Sequence, residues 1–256
     1  MFNVGINGKT FIITGVANKM SLAAGIARSV HSAGGKVIIT VQSQRVADEF
    51  AADVVAETEA EVVVMDVTKP EDLEALAAKF EDGSVGGLVH SMAMMNLTDL
   101  RGRVTDMSLE GLKSAMDISA HSLIRLVKVL ENKFSDDASV VALSYNGGSA
   151  FVDGYGPMGS CKSTLECMVR YLASEHGPRG IRVNTISAGP SATRAANALN
   201  GFDKLLDAAR KTTPLRRETT ADDVGGAALF LLSPLAKGVT GTVLFVDSGL
   251  NIVNVA

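Results

Sequence analysis

The chain has 256 residues, 24 Lys and Arg against 28 Asp and Glu, and a formal net charge of −4. Its 46% hydrophobic content supplies ample material for a core and excludes a disordered chain. Mild acidity without a long basic stretch argues against nucleic acid as a main partner. Aromatic residues make up 5% and Trp is absent, so the core is aliphatic, as suits a parallel sheet buried on both faces.

Apolar, β-branched runs alternate with helical patterns from end to end. A first strand at Thr10–Thr14 precedes a helix at Ser21–Ala33. Strands at Lys36–Val41 and Glu61–Met65 are followed by helices at Arg45–Ala56 and Glu71–Lys79. A strand at Gly86–His90 leads to a long helical stretch at Leu109–Asn132, and one at Ser139–Ser144 to a helix at Gly159–His176. Ile181–Ser187, a helix at Ala221–Leu232 and a last strand at Thr242–Val246 complete the series. This interleaving predicts one α/β domain over residues 1–256, built on a doubly wound, seven-stranded parallel sheet. Ligands of such sheets bind at the carboxyl ends of the strands. Ala188–Thr213 is long, rich in Ala, Ser and Asn, and without a clean period, which predicts a substrate-binding lid.

Cys161 and Cys167 stand six residues apart on one predicted helix, a spacing that does not face them toward each other. Without a CxxC or a nearby His partner they argue against a zinc site, and they fit a reducing, cytosolic compartment. Met1–Thr10 lacks the pattern of a signal peptide. The longest apolar run, Ala227–Leu232, falls far short of the ~18 residues of a membrane span. A cytoplasmic protein with no metal and no stable membrane insertion is expected.

The first strand exits into Thr14-Gly15-Val16-Ala17 and then Ser21-Leu22-Ala23. Gly15 permits a tight turn onto a helix N-terminus, whose free N–H groups suit a diphosphate, and Ser21 can cap that helix. Read alone, this is equally an ordinary strand-to-helix turn, because the GxGxxG fingerprint is absent. Gln42 ends the second strand, where a carboxylate would bind a ribose diol and an arginine a 2′-phosphate. Neutral Gln42 favours NADH, while Arg45 leaves NADPH open. Asp66 and Val67 follow the third strand, where they can hydrogen-bond and flank an adenine; read alone, Asp66 is a loop or capping aspartate.

The fifth strand runs into Tyr145, and Tyr155 stands seven residues before Lys162. Two helical turns take ~7.2 residues, so both would share a face if the helix reached Tyr155. A neighbouring lysine lowers a phenol's pKa and can hold a cofactor ribose. The phenol can then donate to an oxygen that gains charge during hydride transfer. Read alone, the pair is equally a packed tyrosine with a solvated lysine.

Together these stretches make the chain resemble the short-chain dehydrogenase/reductase superfamily, and within it the NADH-dependent enoyl-acyl-carrier-protein reductases of type II fatty acid synthesis. Ordinary members carry Tyr-x3-Lys, but Met158 stands four residues before Lys162. The enoyl reductases carry Tyr-x6-Lys, matching Tyr155 and Lys162, with a further tyrosine matching Tyr145. Similar stretches include His90-Ser91, Asp117-Ile118-Ser119, Ile186-Ser187-Ala188-Gly189-Pro190, Thr213-Pro214-Leu215-Arg216-Arg217 and Val246-Asp247-Ser248-Gly249. The resemblance implies a Rossmann-like domain in which NADH reduces the double bond of a trans-2-enoyl thioester borne by acyl carrier protein. It implies catalytic roles for Tyr155, Lys162 and Tyr145, and nucleotide contacts from Gly15, Ser21, Leu22, Gln42, Asp66, Val67, Ser91, Lys162, Ser191 and Thr193. A substrate pocket would draw on Ala93, Met94, Tyr145, Tyr155, Met158 and Phe202.

The chain departs from the family at Ser91-Met92-Ala93-Met94-Met95, where Ser-Ile-Gly-Phe-Ala is usual, and at Ser191, where isoleucine is common. Leu199–Lys204 offers Lys204 as its clear base for docking an acidic carrier. Two rivals therefore stand beside the main reading: a reductase of the same type with a specialised acyl thioester or conjugated double bond, and a cofactor-binding regulator without catalysis. Leu109–Asn132 and Gly159–His176 carry apolar residues beyond one stripe, and the resemblance implies a homotetramer with 222 symmetry.

Overall fold

A computed structural model of the chain describes residues 4–193 and 202–253, with the side chains of 202–205 excepted. The strands are β1 (Thr10–Thr14), β2 (Lys36–Val41), β3 (Glu61–Val64), β4 (Val85–His90), β5 (Phe134–Ser144), β6 (Arg182–Ala188) and β7 (Val243–Val246). All pair in parallel, in the order β3-β2-β1-β4-β5-β6-β7. The main helices are α1 (Leu22–Ser32), α2 (Ala52–Thr58), α3 (Pro70–Ala77), α4 (Leu97–Arg101), α5 (Leu109–Met116), α6 (Ser122–Leu130), α7 (Met158–His176), α8 (Phe202–Thr212) and α9 (Ala221–Leu232). Among the described residues no helix is long and apolar enough to cross a membrane.

Side chains alternate across a strand, so each face of the sheet collects every second residue. Phe11 and Ile13 of β1 join Val89, Val141 and Ile186 in a core beneath α1 and α9. Ile12 joins Leu88, Val140 and Val183 in a second core beneath α3, α6 and α7. Both faces are dry, which is why β1, β2 and β4 read as near-continuous apolar runs.

Some predicted elements differ. β5 begins at Phe134 rather than Ser139, because Val85 pairs with Phe134 and Gly87 with Ser139 across an irregularity in the ladder. Ser135, Asp136 and Asp137 in that added stretch look like a loop in sequence. The long helical stretches at 45–56 and 109–132 are each interrupted by a π-helical turn, Ala47–Ala51 and Asp117–His121. Helix α4 has no counterpart in the sequence reading. The segment 188–213, expected to lack regular structure, ends in α8, whose described buried apolar residues are Leu206 and Ala209, too few to print a clear pattern.

Helices α1 and α9 touch at the backbone. A Cβ on Gly25 would lie 2.1 Å from the Ala221 carbonyl oxygen, and one on Gly225 would lie 2.5 Å from the Gly25 carbonyl oxygen. This approach sets the depth at which α1, and hence its N-terminus, sits on the sheet. Gly225→Ala is expected to lower stability by about 1–3 kcal/mol, the usual cost of overpacking, read as a lower urea midpoint with an unchanged slope. A midpoint equal to that of the unaltered chain would contradict the close approach.

Candidate active site

The strand order reverses at β1, since β2 leaves to one side and β4 to the other. The chain therefore diverges where the two strands end, and a crevice opens at their carboxyl ends. The cleft there has a volume of about 590 Å³. It is lined by every residue expected from the sequence to contact cofactor or substrate, except Phe202. The side chain of Phe202 and residues 194–201 lie outside the described residues.

At the β1 end, Gly15 has φ +77°, in the left-handed region open to glycine. A Cβ there would lie 1.8 Å from the Ser91 carbonyl oxygen. Thr14 ties the two exits together: its Oγ1 donates to Val89 O at 3.0 Å and accepts from Ser91 N at 3.1 Å. Ser21 caps α1, accepting from Ala24 N at 3.3 Å, while its hydroxyl donates to Asn18 O at 2.7 Å. The first turn of α1 carries no acidic residue, so the positive end of the helix dipole faces the cleft uncompensated, as an anion site requires.

Gln42 stands exposed at the end of β2. Arg45 turns instead to Glu49, with Nε donating to Oε2 at 3.0 Å, and is not part of the cleft lining. Asp66 accepts from Thr68 N at 2.9 Å and Thr68 Oγ1 at 2.7 Å, which holds its carboxyl below the usual range. Beyond β4, Met94 is held by Ser119, which accepts from its N–H at 3.0 Å and donates to its carbonyl at 3.2 Å. Leu97 and Leu100 of α4 and Ile118 of the π turn also line the cleft. The sequence reading assigned them no role; the spacing of Leu97 and Leu100, three apart, was the signal available. Ser191 lines the cleft, but its hydroxyl is engaged with Thr219 O at 2.7 Å and Gly189 O at 3.2 Å. What it can offer a ligand is backbone.

Tyr145, Tyr155 and Lys162 converge on the same cleft. The two phenol rings pack with centroids 4.7 Å apart and planes inclined by 57°. Gly147 admits the Tyr155 ring, since a Cβ there would lie 2.3 Å from it. Lys162 Nζ donates to Leu143 O at 2.8 Å. The condition for a shared helical face is not met: α7 begins at Met158, so Tyr155 lies in the preceding turn. One expectation needs correction, since the phenol is not acidified: burial, chiefly, pushes the Tyr155 pKa above the usual 10, and neighbouring Tyr145, Cys161 and Glu166 add to the rise. Tyr145 is pushed up to about 12 by burial and by Asp247. Burial lowers Lys162 to about 8, against the favourable influence of Cys161 and Glu166. Behind them, burial and then Lys162 push His90 down to about 3, so its ring is neutral; Nε2 lies 2.7 Å from Ser122 Oγ.

The arrangement fits a dinucleotide. A dipole with no acidic residue in its first turn and the backbone amides at α1 suit a diphosphate, Gln42 suits a diol, and Lys162 is a buried cation at the far end. The Tyr145 hydroxyl is buried with no partner among the described residues, which is costly unless a ligand oxygen meets it.

Fold and cleft together define a nucleotide-dependent oxidoreductase on a Rossmann-like sheet. A family model described as enoyl-(acyl carrier protein) reductase matches residues 15–251, and the chain belongs to that family. It is 41% identical over 251 residues to the Bacillus cereus enoyl-acyl-carrier-protein reductase (NADH) FabI, covering 96% of this chain and 98% of that protein. The crystal structure of the B. cereus enoyl-acyl carrier protein reductase with NADP+ and an indole naphthyridinone superposes with TM-score 0.92 at 38% identity, covering 98% of this chain and 99% of that one. That of the Aquifex aeolicus enoyl-acyl-carrier-protein reductase (NADH) gives TM-score 0.93 at 38% identity, with the same coverage.

The lowered Lys162 pKa has a consequence for stability. Between about 8 and the 10.5 of an exposed lysine, the unfolded chain holds a proton at this site that the folded chain has released. Stability therefore gains from this group as pH rises through that window. Below it the folded protein carries a buried charge that Lys162→Met would not. The stability advantage of Lys162→Met over the unaltered chain is expected to shrink from pH 8 to pH 10.5, measured by urea unfolding at each pH. A constant difference would contradict it.

Proposed function

We propose that the chain reduces the carbon–carbon double bond of a trans-2-enoyl thioester, carried by acyl carrier protein, with NADH as reductant, in type II fatty acid synthesis. The observation that carries this reading is the convergence of Tyr145, Tyr155 and Lys162 on one cleft beneath the helix N-terminus of α1. NADH, when bound, supplies the hydride received by the β-carbon of the substrate. Negative charge then develops on the thioester oxygen, three bonds from that carbon, and protonation of the α-carbon completes the reduction. Tyr155 answers it as a hydrogen-bond donor. Because burial keeps its phenol protonated, the proton is available to an enolate oxygen at neutral pH. Tyr145, packed on Tyr155, shapes the thioester site and presents a second hydroxyl. Lys162 holds the nicotinamide ribose and adds positive potential.

Gly15, Ser21 and Leu22 would meet the diphosphate, Gln42 the adenosine ribose, and Asp66 and Val67 the adenine. Ser91, and the backbone of Ser191 and Thr193, would border the nicotinamide end. The pairing of Arg45 with Glu49 supports NADH over NADPH, since the guanidinium is engaged away from the cleft. Ala93, Met94 and Met158, together with Phe202, would form the acyl pocket, and residues 188–213 its lid. Methionine side chains adapt to irregular shapes, and Met92 and Met94 in the lining support the rival reading of a specialised acyl thioester. A homotetramer accords with the apolar side chains exposed on α5, α7 and β7, Leu109, Tyr171 and Phe245, and a cytoplasmic setting with the free thiols of Cys161 and Cys167.

With crotonyl-CoA as the test substrate, loss of NADH absorbance is expected, and turnover of a ketone but not of this thioester would sink the reading. Tyr155→Phe is expected to lower kcat by roughly 10²–10³, the cost of one oxyanion donor. The kcat/KM for NADH is expected to fall as pH rises through about 8, where Lys162 discharges. Lys162→Arg should lack that limb, because arginine stays charged; a limb shared by both proteins would remove Lys162 from the role.

A further inference from the structure

Helix α7 carries a buried carboxylate that the reading above leaves without a task. Glu166 lies one turn beyond Lys162 and is 9% exposed. Ser144, the last residue of β5, donates its hydroxyl to Glu166 Oε1 at 2.5 Å. The residue before it, Leu143, is held through its carbonyl by Lys162 at 2.8 Å. On the other side of Tyr145, Ser163 of the same helix donates to the Gly148 carbonyl. That turn runs so close to α7 that a Cβ on Gly148 would lie 3.0 Å from Glu166 Oε1 and 3.2 Å from Lys162 Cβ. Tyr145 therefore leaves β5 between two points that α7 fastens.

We infer that Glu166 is a positioning residue for the tyrosine–lysine centre, acting through Ser144 to fix the exit of β5 from which Tyr145 projects onto Tyr155. The inference rests on the reading of the chain as an enoyl thioester reductase. Glu166 also supplies charge. The titratable groups facing Lys162 are Cys161 and Glu166 on α7, His90 on β4, and the phenols Tyr145 and Tyr155. Cys161 and Glu166 both favour the ammonium form. Burial raises the Cys161 thiol, however, so it carries no charge near neutrality and Glu166 is the anion that acts. His90 is neutral and both phenols are raised. Arg170 donates to the backbone carbonyl of Glu166, at 3.1 Å, and so meets the peptide there.

The test compares Glu166→Gln, Glu166→Ala and Ser144→Ala with the unaltered chain. Glu166→Gln retains an acceptor for Ser144 but no charge. Its pH limb in kcat/KM for NADH, and in NADH affinity followed by fluorescence, is expected to move down by about one pH unit. Ser144→Ala should lower kcat with crotonyl-CoA by roughly tenfold or more, through misplacement of Tyr145, with little change in KM for NADH. Glu166→Ala should show both effects. Melting curves accompany each variant. A kcat for Ser144→Ala and Glu166→Ala equal to that of the unaltered chain would overturn the positioning role, and a Glu166→Gln limb that overlays that of the unaltered chain would overturn the charge role and leave Glu166 a structural residue. If the unaltered chain binds NADH but does not turn over crotonyl-CoA, the functional reading fails; the fluorescence limb still decides whether Glu166 sets the charge of Lys162.

Discussion

The structure depends on a parallel sheet dry on both faces whose strand order reverses at β1. Parallel pairing obliges each strand to be followed by a crossover, and right-handed crossovers in two directions from one strand place helices on both sides. Where the directions part, a crevice opens at the strand ends. The cleft is thus a topological consequence of burying Val, Ile and Leu on two faces. The bonds between Thr14 and Val89 and Ser91 keep its two walls in register.

On this frame the site is a problem of charge in a dry place. One lysine ammonium is buried at the floor and two phenols at the wall, and burial opposes charge on all three. The consequences are opposite in kind. Lys162 comes within reach of neutral pH and needs an anion nearby, while the tyrosines become firmly protonated donors. A phenol that gives a hydrogen bond to a developing enolate has no need to ionise, so its raised pKa is consistent with the chemistry. The proposed roles therefore rest on desolvation more than on the lysine–tyrosine attraction that spacing alone suggests.

Much of this was legible in the chain itself. The bounds of β1, β2 and α9 match the sequence reading to the residue, because each is a clean run between strong turn or cap signals. Thr220 shows why at α9: its hydroxyl accepts from the backbone of the helix it opens. Gly15, Gln42, Asp66 and Tyr145 could be placed by their positions just after strands. Less legible were β5, whose first turn-like residues pair only because β4 offers a partner across an irregular register, and α8, which buries Leu206 and Ala209 among its described apolar residues.

Sequence by itself determined the alternation of elements and the aliphatic core, which follow from periodicity, and most of the residues that border the cleft, which its motifs supplied through their resemblance to a family. Tertiary structure alone decided that Tyr155 packs against Tyr145, that Arg45 is spent on Glu49, and that Glu166 reaches Ser144 beside Lys162. Those outcomes depend on distances between segments remote in the chain and on how far each group is removed from water, quantities that exist only once the sheet has closed over its two cores.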